Sequence, residues 1–202
     1  FTRTSGDIRA VVRTIVTSEE FFASAAYRAK VKSPFELVVS ALRAVNATPD
    51  MTAGTAQVVA RLGQPLYLHQ APNGYPERGE AWINTGAILN RINFGLALAG
   101  GALPGARPAR WTRYRELVNA PREQQVDAVI AAFLGGEASA ETRKILEAGV
   151  NPLLKGLIPS DSMQVNEDAP APGRGALSRP IELDGLEEII GLALGAPEFQ
   201  RR

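Results

Sequence analysis

At 202 residues with 45% apolar content, the chain is long enough to bury a sizeable core, and one domain over 1–202 is expected. Lys and Arg total 22 against 21 Asp and Glu, so a net charge of +1 offers no global field to attract nucleic acid or an anionic membrane. The absence of cysteine excludes disulfides, thiolate metal sites, iron–sulfur clusters and a cysteine nucleophile.

No apolar run approaches the roughly 18 residues that span a bilayer, so no membrane span is expected. The first residue is Phe1, and the opening lacks the charged and apolar regions of a signal peptide. The chain therefore reads as the C-terminal part of a longer protein, whose absent part can hold further site residues.

Helical periodicity dominates from the start. Ile8, Val11, Val12, Ile15 and Val16 repeat at helical spacing behind Asp7 as a cap, with Arg9 and Arg13 on another face. Ser33-Pro34-Phe35-Glu36 is the clearest start signal: Ser33 caps, Pro34 suits the first helical position and Glu36 completes a capping box for a helix to about Asn46. A third helix is predicted over Thr52 to Leu62, stopped by Gly63. From Gln64 to Ala81 the composition turns to Pro, Gly, His and Tyr, the mark of an ordered loop.

Asn84 or Thr85 caps a longer, central helix with Ile88, Leu89, Ile92, Leu96 and Ala99 as its apolar stripe and Gly100-Gly101 as its end. Further helices are predicted at about Ala109 to Asn119, Pro121 to Leu134, Ala140 to Ala148 and Leu183 to Leu194, with Ser139 and Gly149 as cap and stop of the third. Residues 158–180 lack an apolar period and form a long loop. A faint echo links Thr17-Ser18-Glu19-Glu20-Phe21 with Gly195-Ala196-Pro197-Glu198-Phe199, too little for a repeat architecture. The fold class is all-α, an irregular bundle with long ordered loops and little or no sheet.

Two places combine side chains suited to a ligand. The loop Leu66 to Pro76 holds the only histidine, His69, with Tyr67 and Tyr75, and leads to Trp82; aromatic faces with polar tips suit a carbohydrate or another ring-bearing ligand. Packing explains more loop aromatics than binding does, so anchoring by Tyr75 and Trp82 is the preferred role. On the central helix Asn90, Arg91 and Asn93 interrupt an apolar stretch, where amides and a guanidinium can meet a polar ligand or satisfy buried backbone groups. The structural role is again preferred.

Other chemistry has weaker support. His69 lacks companions at metal-ligand spacing, and no metal or cofactor is predicted. Arg107, Arg110, Trp111, Arg113, Tyr114 and Arg115 interleave charge with aromatics, but a basic footprint for nucleic acid should extend further, so no nucleic-acid partner is expected. Asp161, Asn166, Glu167 and Asp168 do not have the spacing of a calcium loop, and no nucleophile elbow, phosphate loop or dinucleotide fingerprint occurs.

Several phrases in fixed order resemble the uncharacterised bacterial family catalogued as domain of unknown function 1800. They are Lys32-Ser33-Pro34-Phe35-Glu36 with Val39-Ser40-Ala41-Leu42-Arg43, Gly63-Gln64-Pro65-Leu66, Pro72-Asn73-Gly74-Tyr75-Pro76, Trp82, Leu89-Asn90-Arg91-Ile92-Asn93-Phe94 and Pro197-Glu198-Phe199-Gln200. The resemblance covers most of the chain and the C-terminal half of the family. It implies a bacterial, extracytoplasmic protein, periplasmic or secreted, with histidine-bearing phrases in an N-terminal half that is absent here. It supplies no catalytic residue.

The leading expectation is a binding or assembly module whose surface joins the Tyr67 to Trp82 loop to one end of the central helix. Its partner would be a carbohydrate, a protein or the absent N-terminal part. The alternative is a hydrolase of an envelope or extracellular polymer, with His69, Glu77, Glu80 and Arg91 as local candidates and the rest of the site in the absent half.

Overall fold

The computed structural model describes residues 1–49, 52–103, 111–149, 183 and 185–202. Among them are the α-helices α1 (Ile8–Val16), α2 (Pro34–Ala44), α3 (Gly54–Arg61), α4 (Thr85–Ala99), α5 (Tyr114–Leu117), α6 (Arg122–Phe133), α7 (Ala140–Ala148) and α8 (Gly185–Gly195). No strand occurs among the described residues; one antiparallel bridge joins Val31 to Arg201. The expected all-α class is what the chain adopts. The predicted loop over 158–180 and the Asp161 to Asp168 cluster lie outside the described residues.

Helix boundaries follow local chemistry. Ser33 Oγ accepts the Glu36 N–H at 3.4 Å and the Glu36 carboxylate accepts the Ser33 N–H at 2.9 Å, the reciprocal pair of a capping box. Asn84 and Ser139 cap α4 and α7 through the N–H groups of Ala87 and Thr142. α2 stops at Ala44, short of the predicted Asn46, because Asn46 takes a left-handed φ of 54° and the Ala47 N–H reaches back to the Leu42 carbonyl at 2.8 Å. Among the described residues the helix predicted over 109–119 shrinks to α5, whose start is a turn from the Tyr114 N–H to the Trp111 carbonyl.

The core is organised around α4 and α8, which run antiparallel in the most extensive helix contact, with α6 and α7 packed on α8. Three glycines permit that approach. A Cβ on Gly95 would lie 2.6 Å from the Gly191 carbonyl oxygen, one on Gly191 3.1 Å from the Leu96 Cα, and one on Gly195 3.3 Å from the Ile92 Cα. Phe94, Leu98, Ile189, Ile190 and Leu194 are fully buried around this contact and merge into one apolar cluster running from α2 to Phe199.

The central stripe is buried only in part. Ile92, Leu96 and Ala99 are covered, but Ile88 is exposed because α8 ends at Gly195, level with Ile92, one turn of α4 short of it. Beyond that end the chain turns back as residues 196–202 and pairs with 30–32: the Arg202 N–H donates to the Lys30 carbonyl at 2.8 Å and the Lys32 N–H to the Gln200 carbonyl at 2.8 Å. α1 differs from every other helix of two turns or more. It has the expected amphipathic pattern, yet Ile8, Val12, Ile15 and Val16 are exposed and none of its residues is buried.

Candidate functional site

The loop before α4 is tied to itself by its aromatics. The Tyr75 hydroxyl donates to the Pro65 carbonyl, the Trp82 indole N–H donates to the Pro76 carbonyl at 3.1 Å, and the two rings lie 6.0 Å apart. Trp82 is only 8% exposed, at the end of a 3-10 turn over Gly79–Trp82. His69 is exposed, leans on Tyr75 with ring centroids 4.5 Å apart and planes tilted by 47°, and places Nε2 3.3 Å from Asn73 Oδ1. Tyr67 is fully exposed at a left-handed φ of 61°. The four aromatic candidates thus divide: Tyr75 and Trp82 hold the loop, and Tyr67 and His69 face outward.

The polar residues of the central helix divide as well. Asn90 is exposed, Asn93 is half-buried and engaged, and Arg91 is only 3% exposed. Arg91 ties three distant segments together: Nη1 donates to Gln200 Oε1 at 2.8 Å and Nη2 to the Lys32 carbonyl at 2.9 Å. Gln200 is fixed from its other end, its Nε2 donating to the Leu194 carbonyl at 3.0 Å. Arg91 Nε is buried and has no hydrogen-bond partner, and no carboxylate pairs with the guanidinium among the described residues. Burial holds its pKa below the ordinary arginine value.

Arg91 lines a cavity of about 150 Å³, walled by Val31, Ile83, Ile88 and Pro197, with Gln200 and Arg201 as its other polar residues. It sits where α4 outruns α8, under the returning C-terminal segment. A more open and more polar depression adjoins it through Val31, Ile83 and Arg201, and is edged by Lys30, Arg78 and Glu80.

The residues named for a hydrolase stand in separate settings. His69 leans on Tyr75 and Asn73, Glu80 edges the open depression, and Arg91 faces the apolar cavity. Glu77 is fully exposed and pairs with Lys30, whose hydrogen bond and charge hold the carboxyl below its usual range. Among the described residues no three His, Asp or Glu side chains stand together as a metal set, and no helix is long and apolar enough to cross a membrane. The aromatics of the basic–aromatic stretch turn inward while its described arginines stay exposed: Trp111 packs edge-on against Phe133 at 5.0 Å, the Tyr114 hydroxyl donates to Glu187 at 2.8 Å, and Arg113 pairs with Glu116 on the surface at 2.9 Å. Arg107 and Arg110 lie outside the described residues.

The phrases that carry the family resemblance meet in space. Lys32 begins the first, Arg91 sits in the central one and Gln200 ends the last, and the Arg91 guanidinium joins all three. Gln64 accepts the Phe35 N–H at 2.9 Å, and Glu198 accepts the Ser139 N–H at 2.9 Å and the Thr142 hydroxyl at 3.0 Å at the start of α7. A family model described as a protein of unknown function (DUF1800) matches residues 1–201. The chain belongs to this family. No curated protein and no solved structure matches it. Within a DUF1800 chain, sequence reasoning singled out Arg91 but missed Val31, Ile83, Ile88 and Pro197 as its surroundings. The available signal was a lone cation in an apolar helix, paired with nothing at helical spacing.

Proposed function

We propose that the chain is a helical binding module whose ligand site is the Arg91 cavity, at the end of α4 where the Trp82 loop joins it. One observation carries this reading: a buried guanidinium with no carboxylate partner stands beside an apolar cavity. Burying a charge costs several kcal/mol unless something compensates it, and a pocket with an apolar wall and one convergent polar group is the usual form of a small-molecule site. The continuous apolar cluster supports a single domain, and the family resemblance supports an extracytoplasmic setting.

The test is a fragment screen by thermal stabilisation on the chain and on Ile88→Trp, which fills the cavity from its exposed rim while Arg91 itself is unchanged. Ligands should stabilise the parent chain and fail to stabilise the folded variant. Hits that bind both equally place the site elsewhere. For the setting, fractionation of cells making the full-length protein should recover it outside the cytoplasm; retention in the cytosol would contradict that part.

A further inference from the structure

Granting the Arg91 cavity as the site, we infer that it takes a small organic monocarboxylate with an apolar body about the size of benzene, its carboxylate seated on the Arg91 guanidinium. Three features converge on this class. The first is charge: Arg91 is 3% exposed and, among the described residues, hydrogen-bonded to two neutral acceptors, the Lys32 carbonyl and Gln200 Oε1, so one negative charge balances the buried guanidinium. The second is geometry. A guanidinium presents five N–H donors in a planar fork that matches a carboxylate, and among the described residues Nη1 and Nη2 make one protein bond each, so each keeps a further N–H.

The third is the wall. Val31, Ile83, Ile88 and Pro197 give hydrocarbon contact, and a cavity of about 150 Å³ matches the size of engineered apolar cavities that accept benzene. Gln200 holds the fork in place rather than serving the ligand, since its oxygen accepts from Arg91 and its nitrogen donates to Leu194. A phosphate has no apolar body and would leave the hydrocarbon wall unused. Arg201, on the rim, adds a further positive charge toward an arriving anion.

The experiment titrates the full chain with benzoate, benzamide and inorganic phosphate, reading affinity by calorimetry. Benzoate should bind at least about tenfold more tightly than benzamide, the value of a charge-assisted over a neutral hydrogen bond, and phosphate should not displace it. Arg91→Gln should abolish the preference for benzoate over benzamide. Should that variant fail to fold, Ile88→Trp must remove benzoate binding with Arg91 intact. Equal affinity for benzoate and benzamide, or displacement by phosphate, overturns the carboxylate assignment while leaving a binding cavity. Benzoate binding that survives Ile88→Trp overturns the location, and no binding by any probe together with an empty fragment screen overturns the binding reading itself.

Discussion

Arg91 and Arg122 perform the same mechanical task in two corners of the molecule and differ in one respect. Arg122, at the start of α6, donates from Nε and Nη2 to the Leu146 carbonyl at 3.1 and 2.7 Å, and so fastens the end of α7; its Nη2 also meets Glu188 of α8 at 2.9 Å. Arg91 fastens the 30–32 and 200–202 segments to α4 through a carbonyl and an amide, with no carboxylate. Chain anchoring requires donors, and both residues supply them. Charge compensation is a separate requirement, met by Glu188 in one corner and by nothing among the described residues in the other. On the function proposed above, that separation is what distinguishes a structural arginine from one that seats a ligand.

Both corners hang from the α4–α8 contact, so the largest effect comes from breaking it. Gly95→Ala forces a Cβ to within 2.6 Å of the Gly191 carbonyl oxygen, backbone that cannot step aside. It should destabilise the chain by about 3 kcal/mol in urea unfolding, the upper end of overpacking costs. A loss near zero would mean that the helices are not in this register.

The next effect separates the two arginines. Arg122→Met leaves the partly buried Glu188 unpaired and the Leu146 carbonyl without its donor, and should cost about 2 kcal/mol. Arg91→Met loses two hydrogen bonds but also removes an uncompensated buried charge, so its cost should be about 1 kcal/mol or less. Equal losses in the two variants would erase the distinction drawn between the corners.

The smallest effect is a pH dependence beside Arg91. Lys32 is lowered to about 8, chiefly by burial, with Arg28 adding to the shift and Glu36 opposing it. The folded chain then releases this proton near pH 8 while the unfolded chain holds it to about 10.5, so stability should rise as pH increases between those values. Because the side chain is partly solvated, and its ammonium rests 3.9 Å from the Phe199 ring centroid, the gain should stay below about 1 kcal/mol. Unfolding at pH 7.5 and 9.5 in wild type and Lys32→Met reads it: the variant should lose the rise, and superimposable profiles would contradict it.

What was legible in the sequence was what neighbouring residues decide. Ser33, Asn84 and Ser139 cap their helices because a cap needs only the next three residues, and Gly149 takes the left-handed φ of 69° expected of a helix stop. The Tyr75 and Trp82 anchor was readable for the same reason, since both partners, Pro65 and Pro76, lie within the loop. The Arg91 site was not, because its contacts come from Lys32, 59 residues before it, and Gln200, 109 residues after it. Periodicity and the Asp7 cap also located α1, but not its exposure, because a pattern reports a face to be covered and not what covers it.

The most direct measurement is the nuclear magnetic resonance signal of the Arg91 Nη–H groups, followed in the full chain as benzoate is added, with Arg122 Nε–H as the internal reference. With a carboxylate seated on the fork, the Arg91 Nη–H signal shifts downfield and exchanges more slowly with solvent while the Arg122 Nε–H signal, already bonded to Leu146, stays in place. An Arg91 signal unmoved at benzoate concentrations that stabilise the fold would contradict the assignment of this guanidinium as the ligand's seat.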